Sequence, residues 1–307
     1  MRVFVTGASG WIGSAVVSEL LGADHEVVGL ARSDTSAKAL QAAGVIVQHG
    51  DLDDPVGLAK AAADSDGVIH LAFQHQVAFG GDFATAAAVD RRAVEAMGAA
   101  LAGSDRPFVL ASGVVGLALG RVATENDGMV PGAEVRANPA GVRAATALLT
   151  LSLRGIGVRC SVLRFSPTVH GDGDNGFIAT FVRIARQRGV AAYVGDGANR
   201  WPAVHRSDAA RLARLAVEAA PAGSVLHAVA DQGVRFREIA EALGRHLNVP
   251  TTSVAPEDAV EHFGMLGRFA GLDSPVSSTI TRELLGWDPT GPSLLEDLEQ
   301  GHYFRPA

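Results

Sequence analysis

The chain has 307 residues, of which 48% are hydrophobic and 19% are charged, and its formal net charge is -7 at pH 7. This balance is typical of a globular protein with a full core and argues against intrinsic disorder, while the acidic excess argues against nucleic acid as the main partner. The sequence has neither a signal-peptide pattern nor an uninterrupted apolar run of about 18 residues. We therefore expect a cytoplasmic protein without a membrane partner.

The first half of the chain alternates short apolar runs with segments of helical pattern. The runs that predict strands are RVFVTG near the start and then residues 26–31, 44–50, 67–72, 107–112 and 158–165. The helical segments include WIGSAVVSELLG, residues 82–102 and residues 137–154. Strands that are apolar on both faces and alternate with helices predict an α/β fold, with a doubly wound parallel sheet covered by helices on both sides.

The pattern changes after residue 165. The stretch SPTVHGDGDNG is rich in glycine and aspartate and predicts a loop, and after it helices alternate with short strands such as AAYVG and VLHAVA. The C-terminal part is mostly helical, with frequent Pro and Gly. We therefore expect a first domain at 1–165, completed by parts of 190–230, and a smaller region at 166–307 that is interleaved with the last strands of the sheet.

The stretch VTGASGWIG, residues 5–13, places Gly7, Gly10 and Gly13 between the first predicted strand and the first predicted helix. Glycines permit a tight turn there, and a helix N-terminus offers free N–H groups and a partial positive charge to a phosphate. The spacing is G-x-x-G-x-x-G rather than G-x-G-x-x-G, and a merely tight turn is the alternative. The order strand, turn, helix and second strand favours a dinucleotide site.

The second predicted strand ends at Arg32 and Ser33. An acidic side chain at this point would hold the ribose hydroxyls of NAD, whereas an arginine suits the 2′-phosphate of NADP. A solvated surface arginine is the alternative. We predict NADP as the cofactor.

The chain has one cysteine, Cys160, which lies within the apolar run VRCSVLRF. A buried core thiol is the favoured interpretation and a reactive thiol the alternative. One cysteine excludes a thiolate metal cluster, and the histidines and carboxylates do not repeat at metal-ligand spacing. We predict no metal site.

The motifs together resemble the extended short-chain dehydrogenase/reductases, which include nucleotide-sugar epimerases, dehydratases and hydroxysteroid dehydrogenases. The resemblance spans nearly the whole chain and is carried by TGASGWIG, GDLDD, VIHLA, VLASGVVG, LRFSPTVHG and GDGANRWPAVHRSDAARLARLAVE. It implies a Rossmann-type fold with a small, mostly helical C-terminal substrate-binding region. It also implies a homodimer that pairs through the helices at 82–102 and 137–154.

The same resemblance implies which residues hold the cofactor. Asp51 and Leu52 would lie at the adenine, and Leu71 and Ala72 would line the cofactor along its length. With the nicotinamide end included, the expected cofactor-binding residues are Thr6, Gly7, Ser9, Gly10, Trp11, Ile12, Gly13, Arg32, Ser33, Asp51, Leu52, Leu71, Ala72, Ser112, Arg143, Ser166, Pro167 and Thr168.

The usual catalytic pair of that family is missing. The family places a Tyr four residues before a Lys on the helix after the fifth strand, but here Pro139 occupies the Tyr position and Arg143 the Lys position. Asn138 and Pro139 are typical of a helix start. Arg143 is expected either to bind the cofactor ribose and phosphate or to pair with a carboxylate, and it cannot donate a proton because a guanidinium does not titrate in proteins.

Four residues remain as catalytic candidates, namely Ser112, Arg143, His75 and His170. Ser112 matches the hydroxyl of the family at the end of the fifth strand, with a cap or turn role as the alternative. The ordinary pKa of His75 suits acid–base work, although it is equally a surface-loop residue. His170 stands where the family usually has Tyr, and either lines the pocket or only packs there.

The expected substrate-binding residues are His75, His170, Asn175, Trp201 and His205. For His205 a capping role is favoured over substrate contact. We predict an NADP(H)-dependent oxidoreductase of atypical short-chain type that reduces a ketone or aldehyde of a fairly apolar small molecule. Two alternatives stay open. One is a catalytically silent NADP-binding sensor, and the other is a nucleotide-sugar epimerase or dehydratase, which would use the basic residues Arg183, Arg186, Arg188 and Arg200.

Overall fold

The computed structural model of the protein describes residues 1–118, 120–128 and 139–305. Asn138, which the sequence places at a helix start, lies outside these residues. None of the described helices is both long and apolar enough to cross a lipid bilayer.

The strands follow one another along the whole chain. In chain order they are β1 (Arg2–Thr6), β2 (Glu26–Ala31), β3 (Ile46–His49), β4 (Gly67–His70), β5 (Pro107–Gly113), β6 (Arg159–Phe165), β7 (Thr168–His170), β8 (Ala191–Val194), β9 (Arg200–His205), β10 (Ser224–Ala228), β11 (Asp231–Arg235) and β12 (Thr251–Val254).

The helices alternate with these strands. In chain order they are α1 (Trp11–Gly22), α2 (Asp34–Ala42), α3 (Pro55–Ala63), α4 (His75–Phe79), α5 (Phe83–Ala100), α6 (Pro139–Ser152), α7 (Phe177–Arg188), α8 (Arg206–Ala219), α9 (Phe236–Leu247), α10 (Ala259–Phe263), α11 (Gly267–Ala270), α12 (Thr279–Leu285) and α13 (Leu294–Glu299). Short 3₁₀ helices lie at Leu153–Ile156, Pro256–Asp258, Gly264–Leu266 and His302–Phe304. The predicted helix at 82–102 begins one residue late because the carboxylate of Asp82 accepts a hydrogen bond from Thr85 N at 3.0 Å and caps α5.

Seven strands form one parallel sheet in the order β10-β6-β5-β4-β1-β2-β3. The chain order reverses between β1 and β4, which pair directly, so that Thr6 lies opposite His70. This arrangement confirms the predicted Rossmann-type α/β fold. In such sheets the ligand lies at the carboxyl ends of the strands where the order reverses.

Helices cover both faces of the large sheet, as the apolar runs predict. On β1, Val3 and Val5 pack into a core with α1, α2 and α8, whereas Phe4 between them packs into a second core with α3, α5 and α6. The alternation follows from the two-residue period of a strand. Cys160 is 0% exposed in the second core, which confirms the prediction of a buried thiol. The third strand differs from expectation, because β3 is the edge strand and Ile46 is 41% exposed.

The C-terminal region has its own core. Phe181, Trp201, Phe236 and Phe263 meet edge to face, and Trp201 is 3% exposed. Two small sheets lie in this region, in the orders β11-β9-β7 and β12-β8. The stretch SPTVHGDGDNG, predicted as a loop, contains the three-residue strand β7, which pairs in parallel with β9.

Candidate active-site cleft

A cleft of about 1550 Å³ runs along the carboxyl ends of the sheet strands. Its lining begins at the glycine turn, passes the chain after β4 and the end of β5, and reaches α7 and residues 261–269. Ligand pockets for single small molecules usually measure roughly 300–1,000 Å³. The cleft therefore has room for a dinucleotide and a second molecule beside it.

The glycine turn excludes side chains for a geometric reason. Gly7 has a φ of +70°, and a Cβ on it would lie 2.8 Å from the backbone nitrogen of Ala72. A Cβ on Gly13 would lie 2.0 Å from the carbonyl oxygen of Gly7. Gly10 precedes α1 and provides no side-chain cap, so the first turn of that helix keeps free N–H groups. A backbone this close to the helix N-terminus fits a pyrophosphate.

Two residues next to the turn hold it in place. Thr6 is fully buried and lies outside the cleft lining, which corrects its assignment as a cofactor contact. Its hydroxyl is hydrogen-bonded to His70 Nδ1 at 2.6 Å and accepts a hydrogen bond from Ala72 N at 3.2 Å. Trp11 lines the cleft, and its Nε1 donates to the carbonyl oxygen of Val169 at 2.8 Å. The turn is therefore fixed to both β4 and β7.

Arg32 and Ser33, after β2, and Asp51 and Leu52, after β3, line the same cleft. Their role at the adenine end stays a prediction. The side chain of Arg32 is 70% exposed, and its Nε lies 4.0 Å from the carboxylate of Asp51. Ser33 caps α2 by accepting a hydrogen bond from Ser36 N at 3.2 Å. An exposed guanidinium beside a capped helix start leaves room for an anion.

The rest of the expected cofactor residues also line the cleft, and Ser166, Pro167 and Thr168 are those expected at the nicotinamide. These cleft-lining residues are Leu71, Ala72, Ser112, Arg143, Ser166, Pro167 and Thr168. Arg143 donates a hydrogen bond to the carbonyl oxygen of Ala111 at 3.0 Å, and its guanidinium lies 4.2 Å from the centre of the Phe73 ring. Among the described residues no carboxylate forms an ion pair with Arg143, although the charge of Asp90 acts on it and favours its protonated form. Both expected roles of Arg143 therefore stay predictions.

His75 begins α4 and lines the same cleft. Its ring meets the ring of Phe73 edge to face, with 5.2 Å between the ring centres. Burial, and secondly the charge of Arg143, lower the pKa of His75 below its usual value of 6.5. The imidazole is therefore neutral at neutral pH.

The structure does not bring His170, Trp201 and His205 to the cleft, which corrects their assignment as substrate contacts. His170 is fully buried, and its Nδ1 is hydrogen-bonded to the carboxylate of Asp297 at 2.9 Å. Trp201 belongs to the aromatic core, and His205 caps α8 by accepting a hydrogen bond from Ser207 N. The pairing of β7 with β9 places His170 opposite His205, away from the cleft. Asn175 does line the cleft.

The wall of the cleft formed by α7 and residues 261–269 is largely missed by sequence reasoning, which names only Arg183 and Arg188 of it, for the nucleotide-sugar alternative. We call it the far wall, and its residues are Phe177, Thr180, Arg183, Ile184, Gln187, Arg188, Glu261, His262, Met265, Leu266 and Phe269. The α7 part has a signal in the sequence, because Phe177, Thr180, Ile184 and Gln187 recur at helical spacing on one face. The segment 261–269 has no such signal, since it is made of very short helices.

Among the described residues, neither a tyrosine nor a lysine lines the cleft. The chain has two lysines, Lys38 and Lys60, and two tyrosines, Tyr193 and Tyr303. None of these four is among the described residues that line the cleft. The hydroxyl of Tyr303 instead donates to the carboxylate of Asp174 at 2.9 Å. The described residues also contain no cluster of ligands suited to a metal ion.

The sequence of the chain matches a known protein family. Residues 3–229 match the family described as "NAD dependent epimerase/dehydratase family". The match covers the large sheet from β1 through β10 together with the glycine turn.

Two relatives are similar over the whole chain. The first is the "uncharacterized protein C2A9.02" of Schizosaccharomyces pombe, which is 45% identical over 305 residues and covers 99% of this chain and 100% of the relative. The second is the "uncharacterized protein YLL056C" of Saccharomyces cerevisiae, 44% identical over 305 residues, with 98% of this chain and 99% of the relative covered.

Among solved structures, the chain is similar to DesIV, a dTDP-glucose 4,6-dehydratase from Streptomyces venezuelae with NAD and TYD bound. The TM-score is 0.77 at 21% identity, and 99% of this chain and 97% of DesIV are covered. At this identity the likeness shows the common fold, including its smaller C-terminal region.

Proposed function

The chain belongs to the NAD-dependent epimerase/dehydratase family, and from this premise we propose that it is an NADP(H)-dependent oxidoreductase of atypical short-chain type. It reduces the ketone or aldehyde of a small, fairly apolar molecule. The observation that carries this proposal is the continuity of the cleft. One cavity joins the glycine turn, Ser112, His75 and the far wall, whose apolar side chains are Phe177, Ile184, Met265, Leu266 and Phe269.

The preference for NADP rests on Arg32. Its guanidinium is exposed at the end of β2, where a cofactor ribose lies in this fold, and it can bind a 2′-phosphate together with Ser33 and the start of α2. Asp51 stands 4.0 Å away and holds the arginine near the site. An NAD-specific site would instead present a carboxylate in the place of Arg32.

The chemistry divides between cofactor and chain. The bound nicotinamide supplies the hydride. Ser112, at the end of β5, donates a hydrogen bond to the substrate oxygen and stabilises the charge that develops there. Arg143 holds the wall of the cleft and the cofactor ribose, since its charge is fixed. His75 is the titratable side chain at this end, with a pKa lowered below 6.5, and its protonated form donates the proton to the substrate oxygen.

A second candidate is favoured by one observation, namely that the cleft lining described here includes neither a lysine nor a tyrosine. A catalytically silent NADP-binding sensor needs neither of them. Such a protein would bind NADPH at the glycine turn and respond through a partner without turnover.

One experiment separates these functions. NADPH is mixed with the protein and a panel of aryl and alkyl ketones and aldehydes, and loss of nicotinamide absorbance is followed. Oxidation of NADPH that depends on the carbonyl compound supports the reductase. Tight NADPH binding without oxidation across the panel supports the sensor, and turnover of nucleotide sugars alone would support an epimerase or dehydratase.

A further inference from the structure

The far wall carries one arginine whose charge is unbalanced. Arg183 is exposed and lines the cleft, and within the described residues it makes neither a hydrogen bond nor an ion pair. Each of the other arginines in the cleft lining has a neighbouring acceptor or carboxylate. Arg143 donates to Ala111, Arg32 lies near Asp51, and Arg188 donates to the carbonyl oxygen of Glu261. A strongly basic group left without a partner inside a ligand cleft indicates an anionic partner.

The surface around Arg183 is apolar. The rings of Phe177 and Phe269 are stacked with 6.4 Å between their centres, and Met265 is 48% exposed. Ile184 lies next to Arg183 on α7, and Leu266 follows Met265, and both line the cleft. Apolar side chains gathered in a concave site indicate that the body of the ligand is apolar.

The local charge count indicates how many negative charges the ligand carries. Arg183 and Arg188 are opposed in the far wall by Glu261, which leaves one excess positive charge. Asp174 also lines the cleft and lies before the start of α7. Its carboxylate accepts hydrogen bonds from Tyr303 and Gly176. One excess charge matches a monoanion, whereas a diphosphate would bring at least two negative charges next to Glu261.

We propose that Arg183 binds a carboxylate of the substrate, so that the substrate class is an apolar carbonyl compound with a single carboxylate. This inference rests on the proposed function, because it takes the far wall as the substrate end of the cleft. The carboxylate lies on Arg183, the apolar body lies against Phe177 and Phe269, and the carbonyl reaches Ser112. Gln187, one turn further along the same face of α7, offers an amide N–H to the same carboxylate.

The test uses a pair of ligands that cannot be reduced, 4-phenylbutanoate and 4-phenylbutanamide, which differ in charge and share the apolar body. Binding of each to the NADPH-loaded protein is measured by calorimetry for the wild type, for Arg183→Gln and for Arg268→Gln. Arg268 is an exposed arginine on the neighbouring α11 outside the cleft lining, and serves as the matched control.

We expect the wild type to prefer the carboxylate by roughly 10- to 100-fold, the usual strength of a charge-assisted hydrogen bond. Arg183→Gln should abolish this preference, and Arg268→Gln should retain it. Equal binding of both ligands to the wild type would overturn the proposal, as would a preference that survives in Arg183→Gln. UDP-glucose binding more tightly than 4-phenylbutanoate, and lost in Arg183→Gln, would assign the arginine to a diphosphate instead. Because neither phenyl ligand is reduced, this result does not depend on turnover, and failure of the carbonyl panel would not affect it.

Discussion

The guanidinium of Arg143 lies 4.2 Å from the centre of the Phe73 ring and faces it. Its hydrogen bond to Ala111 joins α6 to the end of β5, and Phe73 belongs to the segment that follows β4. A fixed positive charge therefore stands where three elements meet beside the cleft. The sequence resemblance implies a titratable lysine at this position in related enzymes, whereas an arginine carries a positive charge without being able to give up a proton.

Replacing Arg143 tests both effects of this charge. Arg143→Ala should weaken NADPH binding by about tenfold, because a cation and its contacts with the cleft wall are lost. It should also raise the pKa of His75, since the arginine is the second cause of its lowering. Fluorescence titration with NADPH and NMR titration of the imidazole measure the two effects. Arg91→Ala, at an exposed arginine paired with Glu95, is the control. An unchanged pKa of His75 would contradict the electrostatic coupling.

The choice of cofactor is tested at Arg32. The wild type should bind NADPH at least about tenfold more tightly than NADH, as expected for one charged contact with the 2′-phosphate. Arg32→Gln should remove the preference, and Arg32→Asp should reverse it. Lys38 is an exposed cation on the following helix, α2, and lies outside the cleft lining. Lys38→Gln should therefore leave the ratio of NADPH affinity to NADH affinity unchanged. Equal affinity of the wild type for NADH and NADPH would contradict the assignment of Arg32 to the 2′-phosphate.

The stability of the fold should depend on pH through His227, which is fully buried on β10. Its Nδ1 donates to the carbonyl oxygen of Ser277 at 2.8 Å, and its Nε2 lies 3.3 Å from Arg164. Burial lowers the pKa of His227 to about 4. Above pH 6.5 the ring is neutral in both the folded and the unfolded chain. As the pH falls towards 4, only the unfolded chain takes up the proton, and the free energy of unfolding drops by up to about 3 kcal/mol.

Urea unfolding at several pH values measures this loss. His227→Gln should be less stable at pH 7 and should show a shallower fall between pH 6.5 and 4. His49→Gln, at an exposed histidine of the edge strand β3, should follow the wild type. Parallel slopes in the wild type and His227→Gln would show that another group is responsible.

The sequence predicts those parts of the structure whose signal is local. The bounds of α1 agree with the predicted helical segment WIGSAVVSELLG, and the bounds of β2 agree with the predicted strand at 26–31. Both signals are local, because hydrophobic periodicity and the glycines Gly10 and Gly22 act within a few residues. The sequence also places most of the expected cofactor residues in the lining of the cleft. These residues follow directly after strands whose carboxyl ends must meet at one edge of a parallel sheet.

The substrate end depends on contacts between distant segments, and the sequence predicts it poorly. His170 faces Asp297 rather than the cleft because β7 pairs with β9. A strand of three residues is too short for its sequence pattern to predict this pairing. Arg183 and Met265 form one wall although more than seventy residues separate them in the chain. Only the packing of the aromatic core brings α7 next to the segment 261–269.

The hydroxyl of Ser112 should act by placement. Ser112→Ala removes one oriented donor from the substrate oxygen and should lower kcat/KM roughly 10- to 1,000-fold, the scale found for loss of an oxyanion-hole donor. NADPH affinity should change little, because the glycine turn and Arg32 remain. Ser104→Ala, remote from the cleft lining and after α5, is the control. An active wild type whose Ser112→Ala variant reduces carbonyls at the same rate would remove Ser112 from the reaction.

The source of the proton is decided at His75. Burial and Arg143 keep its pKa below 6.5, so the protonated ring that can donate is populated only on the acid side of neutrality. If His75 is the acid, kcat/KM of the wild type should fall as the pH rises through that lowered pKa. His75→Asn keeps a polar side chain of similar size but cannot titrate, and should lose both rate and this pH dependence. Protonation by water would instead leave the pH profile of His75→Asn like that of the wild type. His49→Asn, exposed on β3, should match the wild type in rate and profile under either mechanism.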